Sequence, residues 1–201
     1  MSFAMRLVTA PTVEPVSLEE AKAQCRIEPS EADDDEFLTD LIAAAREMVE
    51  KDSGRAFTRQ TRELQLDAFP VGVIELPRAP LVSVSSVTYV DEAGASQVLS
   101  SALYQVDTRS EPGRVAPAYG TSWPATRDVL GAMRIQYLCG LDLTDAAVIV
   151  PSAAKHAMKL CIAEWNENRQ RAVIGVSVTE RETYDRLIDA VGRVYWLGAT
   201  P

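Results

Sequence analysis

The chain has 201 residues, 47% of them apolar and 24% charged, a balance that describes a folded protein and excludes a disordered one. A chain of this length buries roughly 70% of the surface its unfolded form exposes, enough for one domain or one domain carrying an insertion. Its formal charge of −9 excludes tight binding through nucleic-acid phosphates, which needs clustered Lys and Arg; it suits a surface past which DNA slides without sticking.

Cys25, Cys139 and Cys161 are far apart, odd in number and without a C-x-x-C pair, so they predict neither a disulfide framework nor a zinc site. They read as buried thiols in a reducing cytoplasm. "MSFAMRLVTAPTVEPV" lacks a long apolar core after a basic segment, and no run of about twenty apolar residues occurs, so no membrane partner is expected.

In chain order, "PVSLEEAKAQCRI" opens with Ser17 followed three residues later by Glu20, a capping box that predicts a short helix over 17–25. In "EADDDEFLTDLIAAAREMVEKDSGR" the device recurs. Asp33 is placed to N-cap, Glu36 stands at the third helical position, and Asp34 and Asp35 lie where the helix dipole favours negative charge. Phe37, Leu38, Leu41, Ile42, Ala45, Met48 and Val49 form one apolar stripe on a helix over 34–52, and Gly54 is a natural stop.

From 58 to 140 the texture changes to short segments rich in Val, Ile, Thr and Tyr, separated by Pro, Gly and Asp turns: an antiparallel β region. "DEAG" at 91–94 predicts a hairpin tip and "RSEPGR" at 109–114 an exposed turn, while Pro77, Pro80, Pro112, Pro117 and Pro124 blunt the edges.

Helices return at Pro151, with Ala154, Met158, Cys161, Ile162 and Trp165 on one face. A last helix is predicted from a third box, Thr179 with Glu182, and its stripe is Tyr184, Leu187, Ile188, Val191 and Tyr195. The pattern predicts an α+β fold, a small four-helix bundle with an inserted antiparallel β lobe. Residues 1–57 supply the N-terminal helices, 58–140 the lobe, and 141–201 the C-terminal helices and tail.

The chemistry expected of these residues is slight. Asp33, Asp34, Asp35, Glu36 and the single histidine, His156, are the ingredients of an acidic metal-dependent hydrolase or a cytoplasmic regulatory module. Consecutive helical carboxylates, however, point about a hundred degrees apart and do not converge on one ion. His156 falls on the face opposite Met158 and Trp165. Phosphate-loop, dinucleotide and nucleophile-elbow motifs are lacking, so neither cofactor, nor metal, nor catalytic residue is expected. What remains is surface display: Trp123 in a Pro-bounded loop, Tyr119 beside Gly120, and Trp196 with Leu197 near the end.

Taken in order, "EPVSLEEAKAQCRI", "DDEFLTDLIAAAREMVEKDSGRAF", "LQLDAFP", "IELPRAPLVSVSSVTYVDEAG", "YQVDTRSEPGRV", "SWPAT", "VPSAAKHAMKLCIAEWNENR" and "VGRVYW" resemble the segments of one family. It is the head-tail connector, or adaptor, family of long-tailed bacteriophages and gene transfer agents. The resemblance covers nearly the whole chain, and its specificity lies in the order and spacing of segments that are individually weak. Leu141 stands where an aromatic is expected in "YLCGL", and "ETYDRLIDAVGR" lacks an expected proline.

The resemblance implies a structural protein of the virion or phage-like particle, made in the bacterial cytoplasm and without catalytic residues. About a dozen copies would form a ring below the portal protein, extending the DNA channel and docking a tail stopper or tail-completion protein. DNA would be passing cargo only. It assigns portal binding to Val194, Tyr195, Trp196 and Leu197. Contacts with neighbouring subunits or the tail would fall to the lobe loops, with Asp91, Glu92, Arg109, Glu111, Arg114 and Trp123.

Overall fold

The computed structural model describes residues 3–168 and 178–195. Four helices and two antiparallel sheets make a mixed α/β protein in two compact units, which interleave along the chain. The sheet unit comprises Met1–Thr12, Gly54–Leu141 and Val194–Pro201; the helical unit comprises Val13–Ser53 and Asp142–Arg193.

In the sheet unit, β1 (Phe3–Thr9), β2 (Gln60–Leu66), β8 (Met133–Cys139), β4 (Leu81–Val90) and β5 (Ser96–Val98) form a five-stranded sheet in that spatial order. A second sheet orders β3 (Ile74–Leu76), β7 (Gly113–Pro117) and β6 (Tyr104–Asp107). Strand alternation explains the core: Leu64 and Leu66 of β2, and Met133, Ile135, Tyr137 and Cys139 of β8, are buried at every second position. Ile74, Leu76, Val115, Leu81 and Val87 share that core.

Tyr137 is wholly buried and donates its hydroxyl to the Pro77 carbonyl at 2.9 Å, which satisfies both polar groups. Burial pushes the phenol pKa well above its ordinary value, so it remains a donor. Gly113 packs tightly against this core, because a β-carbon there would overlap the Leu81 side chain.

In the helical unit, α3 (Ser152–Glu167) packs against α1 (Leu18–Cys25), α2 (Asp35–Ser53) and α4 (Val178–Val191). The buried faces carry Leu38, Ile42, Ala45 and Val49 from α2, Ala154, Ala157, Met158, Cys161 and Ile162 from α3, and Ile188 from α4. Alanines at the contact let the helix axes approach closely. The predicted capping box on α1 forms: Glu20 N donates to Ser17 Oγ at 3.1 Å and Ser17 N to Glu20 Oε2 at 3.0 Å.

Arg46 is the buried charge of this unit. Only 4% exposed, it donates to Glu14 Oε2 at 2.8 Å and to Glu50 Oε2 at 3.3 Å, tying the segment before α1 to the middle of α2. Burial raises the Glu14 carboxyl pKa against the opposing pull of Arg46.

Several sequence expectations need correction. Phe3–Thr9, to which the sequence reading gave no element, is a strand paired with β2; its alternation was hidden because nearly all its residues are exposed. The helix expected over 34–52 begins at Asp35, and its first backbone bond runs from Leu38 N to Asp34 O. Asp34, not Asp33, therefore holds the cap position. Met48 is exposed, and Tyr195 lies beyond α4 rather than on its stripe. Thr179 falls inside α4, which starts at Val178, so it is not the cap.

Gly113→Ala is expected to lower the stability of the folded chain by about 1–3 kcal/mol through overpacking against Leu81, read from a urea unfolding midpoint. Arg46→Ala is expected to cost about 3–5 kcal/mol, since it removes the buried cation that Glu14 and Glu50 share. Arg46→Met combined with Glu14→Gln and Glu50→Gln should recover most of that loss in the same measurement.

Candidate functional site

The acidic run at the start of α2 is divided among different tasks. Asp35 pairs with Lys22 of α1 at 2.5 Å. The Lys22 ammonium, 5% exposed, also donates to the Glu31 carbonyl at 2.6 Å and the Pro29 carbonyl at 3.4 Å. One cation thus folds the 26–34 loop back and fixes the angle between α1 and α2. Arg26 ends α1 in the left-handed conformation, φ 59°, with its N–H satisfied by Ala23 and Lys22 carbonyls.

Asp33 is exposed in the loop before α2, and Glu36, Asp40 and Glu47 occupy the solvent side of the helix. His156 is exposed on α3. Among the described residues no group of three or more His, Cys, Asp or Glu side chains is arranged to hold a metal ion.

The lobe-loop candidates resolve into three local structures. At the β4–β5 tip, Asp91 accepts from Ala95 N at 2.9 Å and from Gln97 Nε2 at 2.8 Å, which lowers its carboxyl pKa; Glu92 is exposed beside it. In the 107–114 turn, Asp107 accepts from Ser110 Oγ, Arg114 Nη2, Arg109 N and Ser110 N. Those hydrogen bonds hold its carboxyl well below the usual carboxylate range. Arg109 is itself exposed, whereas Glu111 takes both Arg55 guanidinium nitrogens, at 3.0 and 2.7 Å. Sequence reading selected the turn but missed Asp107, the acceptor that organises it; an Asp two residues before the Arg-Ser pair was the available signal.

Trp123 is half-buried. It stacks on Phe69 with centroids 4.9 Å apart and planes 11° apart, and donates Nε1–H to the Gly72 carbonyl at 2.7 Å. Phe69 in turn meets Tyr89 edge-on at 5.8 Å. This column pins the 67–73 loop, leaving Val71 at its crest 89% exposed. Tyr119 is fully exposed. Val194 is half-buried and Tyr195 is 73% exposed; Trp196 and Leu197 lie outside the described residues.

Charge is distributed unevenly between the units. The sheet unit holds nine Lys and Arg against eight Asp and Glu, whereas the helical unit holds eleven against twenty-one. The acidity of the chain therefore belongs to its helices. On the sheet unit, the side of the five-stranded sheet away from the buried row presents Arg6, Glu63, Gln65, Arg134 and Gln136 at alternating positions. Ala4, Arg6, Glu63, Gln65 and Arg134 line a shallow depression of about 260 Å³ there.

Asp107 yields a pH prediction. Its folded pKa is depressed, so its contribution is complete above the ordinary carboxylate range and is lost as pH falls below it toward the lowered folded value. Asp107→Asn is expected to raise amide exchange at Arg109 and Ser110 at neutral pH. Amides of the β8 core should keep their protection.

Known proteins supply a frame for this arrangement. Residues 15–97 match the family described as Phage gp6-like head-tail connector protein. No curated protein matches the sequence. A chain in the neck of an empty gene transfer agent particle, computed with C6 symmetry, superposes with a TM-score of 0.76 at 22% identity, covering 98% of this chain and 100% of that one. A chain of the native gene transfer agent virion gives 0.74 at 21%, covering 98% and 99%. One in the native neck computed with C12 symmetry gives 0.70 at 21%, covering 98% and 100%. Residues 15–97 are thus similar to the Phage gp6-like head-tail connector family, within a fold the chain shares along nearly its whole length with chains of gene transfer agent particles.

Proposed function

We propose that this chain is a structural head-tail connector: a ring-forming protein of a phage or gene transfer agent particle, seated at the neck between the head and the tail. The observation that carries the reading is the connector-family match over 15–97 in a chain whose fold corresponds, end to end, to one found in a particle neck. The C12 symmetry of one such neck supports a ring of about twelve copies. In this reading the role is architectural and non-catalytic.

The helices act as a four-helix bundle that carries the β region as a lobe. The ring extends the DNA channel, with DNA as cargo. The concentration of negative charge in the helical unit supports a lumen that repels the phosphate backbone. The portal protein on the head side and a stopper or tail-completion protein on the tail side are its partners. Val194, Tyr195, Trp196 and Leu197 meet the portal, a role supported by the exposure of the Tyr195 ring next to α4. Asp91, Glu92, Arg109, Glu111, Arg114 and Trp123 lie on or support the loops that meet neighbours or the tail. Asp107 and Phe69 set those loops' shapes.

Particles made without the chain are expected to contain filled heads lacking tails. Complementation with the full chain should restore tailed particles in negative-stain images. A version ending at Arg193 should fold, as judged by circular dichroism, yet fail to restore them. Tailed particles in the complete absence of the chain would overturn the connector reading, and rescue by the truncated chain would remove the portal role from 194–197.

A further inference from the structure

The open side of the five-stranded sheet is a surface whose composition the fold does not require. Two cross-strand rows run over it: Ala4, Gln65, Arg134 and Thr88 in one, Arg6, Glu63, Gln136 and Ser86 in the other. Each row contains one arginine. Arg6 is exposed and reaches Glu63 at 3.6 Å, while Glu63 is sunk between its neighbours at 18% side-chain exposure. Arg134 is exposed, and among the described residues no carboxylate pairs with it. The remaining groups are amides and hydroxyls, able to donate or accept hydrogen bonds with a second surface.

The complementary surface lies on the same chain type. Glu36, Asp40 and Glu47 are exposed along α2 and extend over about 17 Å at 1.5 Å per residue. Asp40 and Glu47 stand about 10 Å apart along the helix, while strand spacings place Arg6 and Arg134 about 12 Å apart across the sheet. Glu47 is also 3.6 Å from Arg46, but its side chain stays 64% exposed.

We propose that in the assembled ring the open sheet face of one copy, through Arg6 and Arg134, docks against the acidic exposed side of α2, through Glu36, Asp40 and Glu47, of a second copy. This inference rests on the ring reading above. It adds which two surfaces meet. Charge decides between the alternatives. Sheet face against sheet face brings arginine to arginine, and α2 against α2 brings carboxylate to carboxylate, each a repulsive juxtaposition. Only the unlike pairing is attractive, and made head to tail between successive copies it is a heterologous contact, which closes into a ring when the rotation per copy permits. The polar lining matches a wet interface whose exposed ion pairs are individually weak and salt-sensitive.

The test uses assembled particles. Arg134→Lys keeps the charge and supplies an amine that a carbodiimide joins, at zero length, to a touching carboxylate. Neck material from these particles is expected to yield a cross-linked dimer in which Lys at 134 is joined to Glu36, Asp40 or Glu47. Arg6→Glu with Arg134→Glu is expected to lower neck occupancy by at least about tenfold, and adding Glu36→Lys with Asp40→Lys to restore it to within about threefold. Circular dichroism of each purified variant checks that it folds. A chain present in the neck but linked from position 134 to other residues, or with charge reversal harmless, would overturn this contact while leaving the connector reading intact. A chain absent from the neck would overturn both.

Discussion

The sheet unit depends on β8. It is the middle strand of five, flanked by β2 and β4 on its two sides, and its buried residues are the centre of the core. Yet it comes last among the strands: Leu64 and Ile135, paired across β2 and β8, are separated by most of the intervening lobe. The core therefore closes only when a long loop has been drawn in, at an entropy cost that grows slowly with loop length. The short second sheet of β3, β7 and β6 fills that interval, and the close contact of Gly113 with Leu81 brings it into the same core. The 107–114 turn joins β6 and β7 of the second sheet, which shares the core through Val115, whereas the strands of the five-stranded sheet are held in register by β8.

The helical unit is organised by two buried cations rather than by a cluster of acids. Lys22 gathers the loop before α2, and Arg46 gathers Glu14 and Glu50. Each is surrounded by carboxylates or carbonyls, so the interior stays close to neutral while the excess negative charge goes to the surface. In the connector reading proposed above, DNA passes through the centre of the ring without being held. An acidic helical unit joined to a nearly neutral sheet unit meets that requirement without extending repulsion over the whole subunit. It also leaves the sheet face free to make contacts that a uniformly acidic protein would resist.

Much of this was legible in the sequence, and the misses have physical causes. The Ser17–Glu20 box, the apolar face of α3 and the hairpin tip at Asp91 were readable because each rests on local spacing. The strand Phe3–Thr9 was not, because an edge strand with almost every residue exposed has no alternation to read. The acidic run was correctly read as helix-starting, but Lys22, its partner at 2.5 Å, sits ten or more residues earlier on another helix. Periodicity has no access to such pairings. Trp123 was recognisable as a loop aromatic, while its stacking on Phe69 and its bond to Gly72 depend on chain brought from more than fifty residues away. The uneven division of charge was present in the composition, but it became visible only once the two units were known to interleave.

The most direct measurement of the central claim is a cryo-electron microscopy reconstruction of the neck of the particle that contains this chain, at a resolution sufficient to trace β8 and α3. The account predicts a closed ring of this fold, in about twelve copies, between the head and the tail, with the helical units turned toward the DNA. A neck whose density accommodates no copy of this fold would contradict it.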